Sequence, residues 1–184
     1  MSIDDQIAKA RRSGALECLP LEMPSDPVER TMLLHPEVFA FFKGPWLSET
    51  AAKRAGRLQS DLESFAKGEV VSMALTPREH GNAYMGRLEP LTDATWDIRS
   101  RDPSPGLRVF GRFAKKDVFV ALVWELRSKN VPWSDKRPLG DGDSTEYQIA
   151  LLETEARWRA IFKETPALTG VTASDYVSKD TISC

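Results

Sequence analysis

The sequence is poor in the residues that most often announce a chemistry. Only two histidines and two cysteines occur in 184 residues. Cys18 and Cys184 are far apart, and neither they nor His35 and His80 fall at a zinc-site spacing. The expected state is two free thiols in a cytoplasmic protein, with both histidines structural or solvated. No stretch approaches the ~18 apolar residues of a membrane span, and none resembles a signal peptide, so no membrane partner is expected. There is no P-loop, no glycine-rich dinucleotide fingerprint and no G-x-S-x-G elbow. Asp141 and Asp143 flank Gly142, but a calcium loop needs a longer acidic series ending in glutamate, so this segment reads as a turn followed by a helix cap. No internal repeat is present. These absences argue against several large classes of nucleotide, metal and hydrolytic enzymes, and no cofactor or metal is expected.

What is present has globular proportions: 41% hydrophobic and 28% charged residues. A chain of this length buries about 70% of its unfolded surface and needs no disulfide or metal staple. The net charge of −2 conceals an asymmetry. Between Trp96 and Arg137 ten Lys or Arg stand against five Asp or Glu, a local +5 that leaves −7 on the rest. Such an excess attracts an anionic partner, although strand arginines can also simply solvate the outer face of a sheet.

Period-two patterning places three strands in the same region. Trp96 and Ile98 alternate with Asp97 and Arg99. Leu107, Val109, Gly111 and Phe113 alternate with Arg108, Phe110 and Arg112. The nearly unbroken apolar run 118–126 fits a central strand buried on both faces. Turns are expected at Pro103 to Gly106 and at Lys115 to Asp117, so the three strands should run antiparallel. A fourth strand is expected at 70–75, and 76–90 reads as a loop.

Helices flank this sheet. Residues 3–13 follow the cap Ser2, with Asp4 and Asp5 in the first turn and Arg11 and Arg12 in the last. Their apolar face, Ile3, Ile7 and Ala10, is thin. The proline-bearing segment 16–27 reads as an extended connector, and 36–42 as a short helix begun by proline. Residues 48–67 carry Ala51, Ala55, Leu58, Leu62 and Phe65 on one face and present Lys53, Arg54, Arg57, Gln59 and Asp61 to solvent. A further helix, capped by Asp143 or Ser144, runs to about Phe162 with Tyr147, Leu151, Trp158, Ile161 and Phe162 on one side. From Thr165 onward the polar tail is expected to lie over the surface or to be partly disordered.

The available chemistry is that of arginine. Arg108 and Arg112 share a strand face, as do Arg99 and Arg101 on the preceding strand, and Arg127 and Lys129 follow the third. Adjacent guanidinium forks match phosphate oxygens. Phe110 either offers a surface on which a base stacks or packs beneath a helix.

At Arg108, Val109, Phe110 and Phe113, the turn Lys115 to Asp117, the run 118–126 and Arg127-Ser-Lys129, the chain resembles the RelE/ParE superfamily of toxins from toxin-antitoxin systems, including HigB-like and phage-derived relatives. The helix 48–67 followed by strand 96–101 is similarly placed, and the resemblance covers about residues 48–130. It implies an α+β domain with helices packed on one face of a twisted antiparallel sheet of three to four strands, extended by extra N- and C-terminal helices. The corresponding organisation is an N-terminal extension, 1–47, a domain, 48–163, and a tail, 164–184. It also implies a metal-independent endoribonuclease that cleaves messenger RNA, or an RNA binder, with RNA or the ribosome and an antitoxin-like protein as partners. Carried over by position, Arg108 holds the phosphate and Arg127 stabilises the charge that develops as the ribose 2′-hydroxyl attacks. Arg112 and Lys129 are auxiliary, and Arg99, Arg101 and Phe110 complete the RNA-binding set. Tyr147 is the first tyrosine or histidine after Arg127. ParE-like members bind gyrase instead. The alternative reading is a non-catalytic protein-interaction module of phage or mobile-element origin, motivated by the acidic remainder and the additional helices.

Overall fold

A computed structural model describes residues 1–76, 82–90, 93–127, 145–178 and 181–183, the last three by their backbone alone. The fold is α+β. In chain order the elements are α1 (Ile3–Arg12), β1 (Glu17–Cys18), β2 (Thr31–Leu34), α2 (Pro36–Lys43), α3 (Glu49–Ala66), β3 (Val71–Ala74), β4 (Met85–Arg87), β5 (Thr95–Ser100), β6 (Leu107–Lys115), β7 (Val118–Leu126), α4 (Thr145–Phe162), α5 (Ala173–Tyr176) and β8 (Thr181–Ser183).

The expected antiparallel meander forms the centre. Ile98 pairs with Val109 across β5 and β6, and Val109 with Trp124 across β6 and β7. The sheet around it differs from expectation. It is mixed, not antiparallel, and among the described residues it has eight strands in the order β1-β2-β7-β6-β5-β4-β3-β8. β2 runs parallel to β7, and β3 runs parallel to both β4 and β8. Strands of two to four residues carry too few alternations for period two to register, which is why the segments 16–27 and 76–90 read as irregular. β2, from 1–47, and β8, from 164–184, are both integral to this sheet.

Helices cover both faces of the sheet rather than one. On the first face, Leu58, Leu62 and Phe65 of α3 meet Trp96, Ile98, Val109 and Phe113, with Val38 of α2 and Tyr176 of α5 in the same core. On the second, Trp158 and Phe162 of α4 and Ala10 of α1 meet Phe110, Val120 and Leu122. The unbroken apolar run of β7 requires this, since residues of both parities must be kept from water. The register of β7 shifts opposite Phe110 and Gly111, so that consecutive Leu122 and Val123 both join the second core.

Local signals at the helix ends hold. Ser2 Oγ accepts from Asp5 N while the Asp5 carboxylate accepts from Ser2 N, and Gly14 follows the helix at φ +74°. Ser48 Oγ caps α3 through Ala51 N. The thin apolar face of α1 docks against α4. Two α3 side chains depart from the expectation of solvent exposure. Asp61 has a largely buried carboxylate, and Arg54 is buried, donating to Pro105 O at 2.9 Å and to Ser104 O at 3.3 Å.

Candidate anion-binding site

Antiparallel pairing aligns Arg99 with Arg108, Asp97 with Phe110 and Thr95 with Arg112. Directly paired residues project to the same side, so all six share the face covered in part by α4. Asp97 is 1% exposed. Its carboxylate accepts from Arg99 Nε at 3.2 and 3.3 Å and from Arg108 Nη1. A buried carboxylate must be paired, and here it holds two guanidinium groups at fixed positions beside one another.

The loop between β5 and β6 forms an adjoining wall. Arg54 secures it from the α3 side, and Arg127 N donates to Gly106 O at 2.8 Å. A Cβ at Gly106 would lie 2.4 Å from Ser100 O, so only glycine permits this approach. Arg101 donates Nη1 to Asn82 Oδ1 at 2.8 Å and Nη2 to Ala83 O at 3.2 Å. These elements enclose a cavity of about 500 Å³, lined among others by Arg99, Arg101, Arg108, Arg127, Asn82 and Ser104.

Burial lowers the affinity of the Arg108 guanidinium for its proton, and the Asp97 carboxylate opposes that effect. An arginine remains cationic under such a shift. Tyr147 of α4 packs edge-on against Phe110 with centroids 5.5 Å apart. Its phenol is pushed up, first by burial and then by the charge of Asp97, while Arg108, Arg99 and Arg127 pull it down. Tyr147 is therefore neutral at ordinary pH, within electrostatic reach of the cluster.

Of the candidate residues, Arg99, Arg101, Arg108 and Arg127 meet at the cavity. Arg112 does not. It lies under α4, ion-paired with Glu155, donating Nε to Thr95 Oγ1 at 3.2 Å and stacked over Trp158. Phe110 is fully buried beneath Tyr147, so a base cannot stack on it. Lys129 lies outside the described residues. The spacing of Arg108 and Arg112 assigns a face correctly, but only the position of α4 decides which part of that face is covered. Three contributors were not anticipated. Asp97 carried a usable signal, being two residues before Arg99 on an alternating strand; Ser104 lies in the expected turn, whose place beside the arginines no pattern specifies, and Asn82 in a loop with no pattern. Among the described residues, no group of three or more His, Cys, Asp or Glu is arranged to hold a metal, and no helix is long and apolar enough to cross a membrane.

Comparison with protein-family models, curated proteins and solved structures found no match.

Proposed function

We propose that the protein binds RNA through its phosphates at the arginine cavity. The observation that carries this reading is the gathering of Arg99, Arg101, Arg108 and Arg127 around one hollow at the end of three central strands. Guanidinium forks hold phosphate oxygens in two-point contacts, and charge-dominated binding of this kind is steered and salt-sensitive. Arg127 is exposed, and its guanidinium has no partner among the described residues, which suits it to first contact. Asp97 orients Arg99 and Arg108 in advance, so less ordering is needed on binding. The test is fluorescence anisotropy with a labelled oligoribonucleotide at low salt. The native protein binds, and Arg101→Ala with Arg127→Ala weakens binding strongly while leaving the melting temperature unchanged. Undiminished binding by the double variant refutes the reading.

Tyr147 favours a second reading on the same site, the metal-independent cleavage expected of a RelE-like toxin. A neutral phenol within electrostatic reach of Arg108 and Arg127 is a proton donor rather than a base. It would protonate the leaving 5′-oxygen as the 2′-oxygen, its proton passing to water, attacks phosphorus and forms a 2′,3′-cyclic phosphate; the phenolate then regains a proton from water, and arginine stabilises the negative charge on the phosphoryl oxygens. Tyr147→Phe then retains RNA binding and loses cleavage of translated messenger RNA. Absence of cleavage by the native protein, with and without ribosomes, leaves binding alone.

A further inference from the structure

The cavity carries information about its ligand beyond the presence of arginine. Its four guanidinium groups are accompanied on the same sheet face by two carboxylates: Asp97, bonded to Arg99 and Arg108, and Glu125, opposite Arg108 on β7. Asp102, exposed in the adjoining loop, does not line the cavity. Among the described residues, these four cations and two anions leave an excess of about +2. An internal phosphodiester carries a single negative charge, whereas a phosphate monoester carries about −1.5 to −2 at neutral pH. The monoester matches the excess more closely.

The lining is equally selective. Among the described residues, none of the side chains around the cavity is aromatic, and Phe110 is sealed beneath Tyr147. No described residue there offers a stacking surface for a base. What accompanies the arginines is the amide of Asn82, the hydroxyl of Ser104 and the backbone at Pro105 and Gly106. These groups suit the hydroxyls of a sugar. A volume of about 500 Å³ lies within the range of small-molecule sites and exceeds what a lone phosphate requires.

We infer that the cavity takes a phosphate monoester borne on a sugar, held by charge and hydroxyl contacts without base discrimination. The inference rests on the phosphate-binding reading above and narrows it. Two sources share this chemistry, the phosphorylated end of an RNA strand and a free sugar phosphate.

The experiment measures binding of oligoribonucleotides of equal length ending in 5′-phosphate, 3′-phosphate or hydroxyl groups only, with competition by ribose 5-phosphate. One phosphorylated form binds at least about tenfold tighter than the hydroxyl form, the size of one charge-assisted contact. Changing the terminal base leaves that ratio unaltered. Arg127→Ala removes it, and Lys53→Ala, at an exposed position on α3, retains it. Saturable binding of ribose 5-phosphate, with no RNA binding in any form, supports the inference and assigns the free sugar phosphate as the source. Equal affinity for all three RNA forms, with no displacement by ribose 5-phosphate, overturns the inference and leaves phosphodiester binding intact. Failure of every probe to bind overturns both.

Discussion

Asp97 and Arg99, two residues apart on β5, form an ion pair at 3.2 Å in which both side chains are withdrawn from solvent. Arg108 joins the same carboxylate from the neighbouring strand. Asp97 is thus the residue on which the geometry of the cavity depends. Asp97→Ala leaves two buried cations without their counter-charge and should cost about 3–5 kcal/mol, the range for breaking a buried pair from one side. Urea denaturation measures this. A loss below about 1 kcal/mol would show that the cluster relaxes into water without it.

Arg112 and Arg101 should separate stability from binding. Arg112 is enclosed by Glu155, Thr95 and Trp158, whereas Arg101 is exposed at the cavity. Arg112→Ala lowers stability by about 1–3 kcal/mol, because it removes packing under α4 and one of the two arginines that pair with Glu155, the other being Arg159. The protein that remains folded binds RNA as before. Arg101→Ala changes stability by less than about 1 kcal/mol and weakens binding. Anisotropy and denaturation on the same two variants test the division.

The contact between α3 and the sheet can be checked at Leu62, which is 0% exposed in the first core. Leu62→Ala should cost about 2–5 kcal/mol. Lys53→Ala, whose side chain is 66% exposed, should fall within about 0.5 kcal/mol.

Asp61 supplies a pH dependence with a definite sign. Burial raises its carboxyl above the usual range, and Oδ2 is buried with no hydrogen-bond partner among the described residues. Its folded form therefore holds a proton more tightly than its unfolded form, and its ionisation lowers stability as pH rises through that interval. Ser100 and the half-exposed Arg57 offset only part of this. Asp61→Asn should be more stable than the parent at pH 7, by about 1 kcal/mol. The difference should vanish below about pH 3, where the carboxyl is protonated in both states. Denaturation curves across that range, parent against variant, decide it; a variant less stable at pH 7 would contradict the account.

The legible part of the fold was its long, regular part. Nine-residue β6 and β7 and eighteen-residue α3 and α4 repeat their pattern often enough to be read from residues such as Leu107, Val109, Phe113, Leu58 and Leu62. Most short strands escaped because their partners lie far away in sequence, as Thr31 pairs with Val118; β3 was expected at 70–75, but not its parallel pairing of Val71 with Thr181. The second helical layer was implicit in the unbroken run of β7, but the family-like order of elements suggested one covered face. At the site, the gathering of four arginines follows from alternation and turn placement. The exclusion of Arg112 and Phe110 follows from where α4 lies, which no local pattern specifies.

The most direct test of the central claim is the salt dependence of RNA binding. For single strands, log K falls with log salt by about 0.7 per phosphate contact. With Arg101 and Arg127 each engaging a phosphate, replacing either by alanine should reduce the slope by about 0.7, and replacing both by about 1.4. Slopes of the native protein and the three variants, measured between low and physiological salt, give the count. A native slope matched by the double variant would contradict phosphate binding at this cavity.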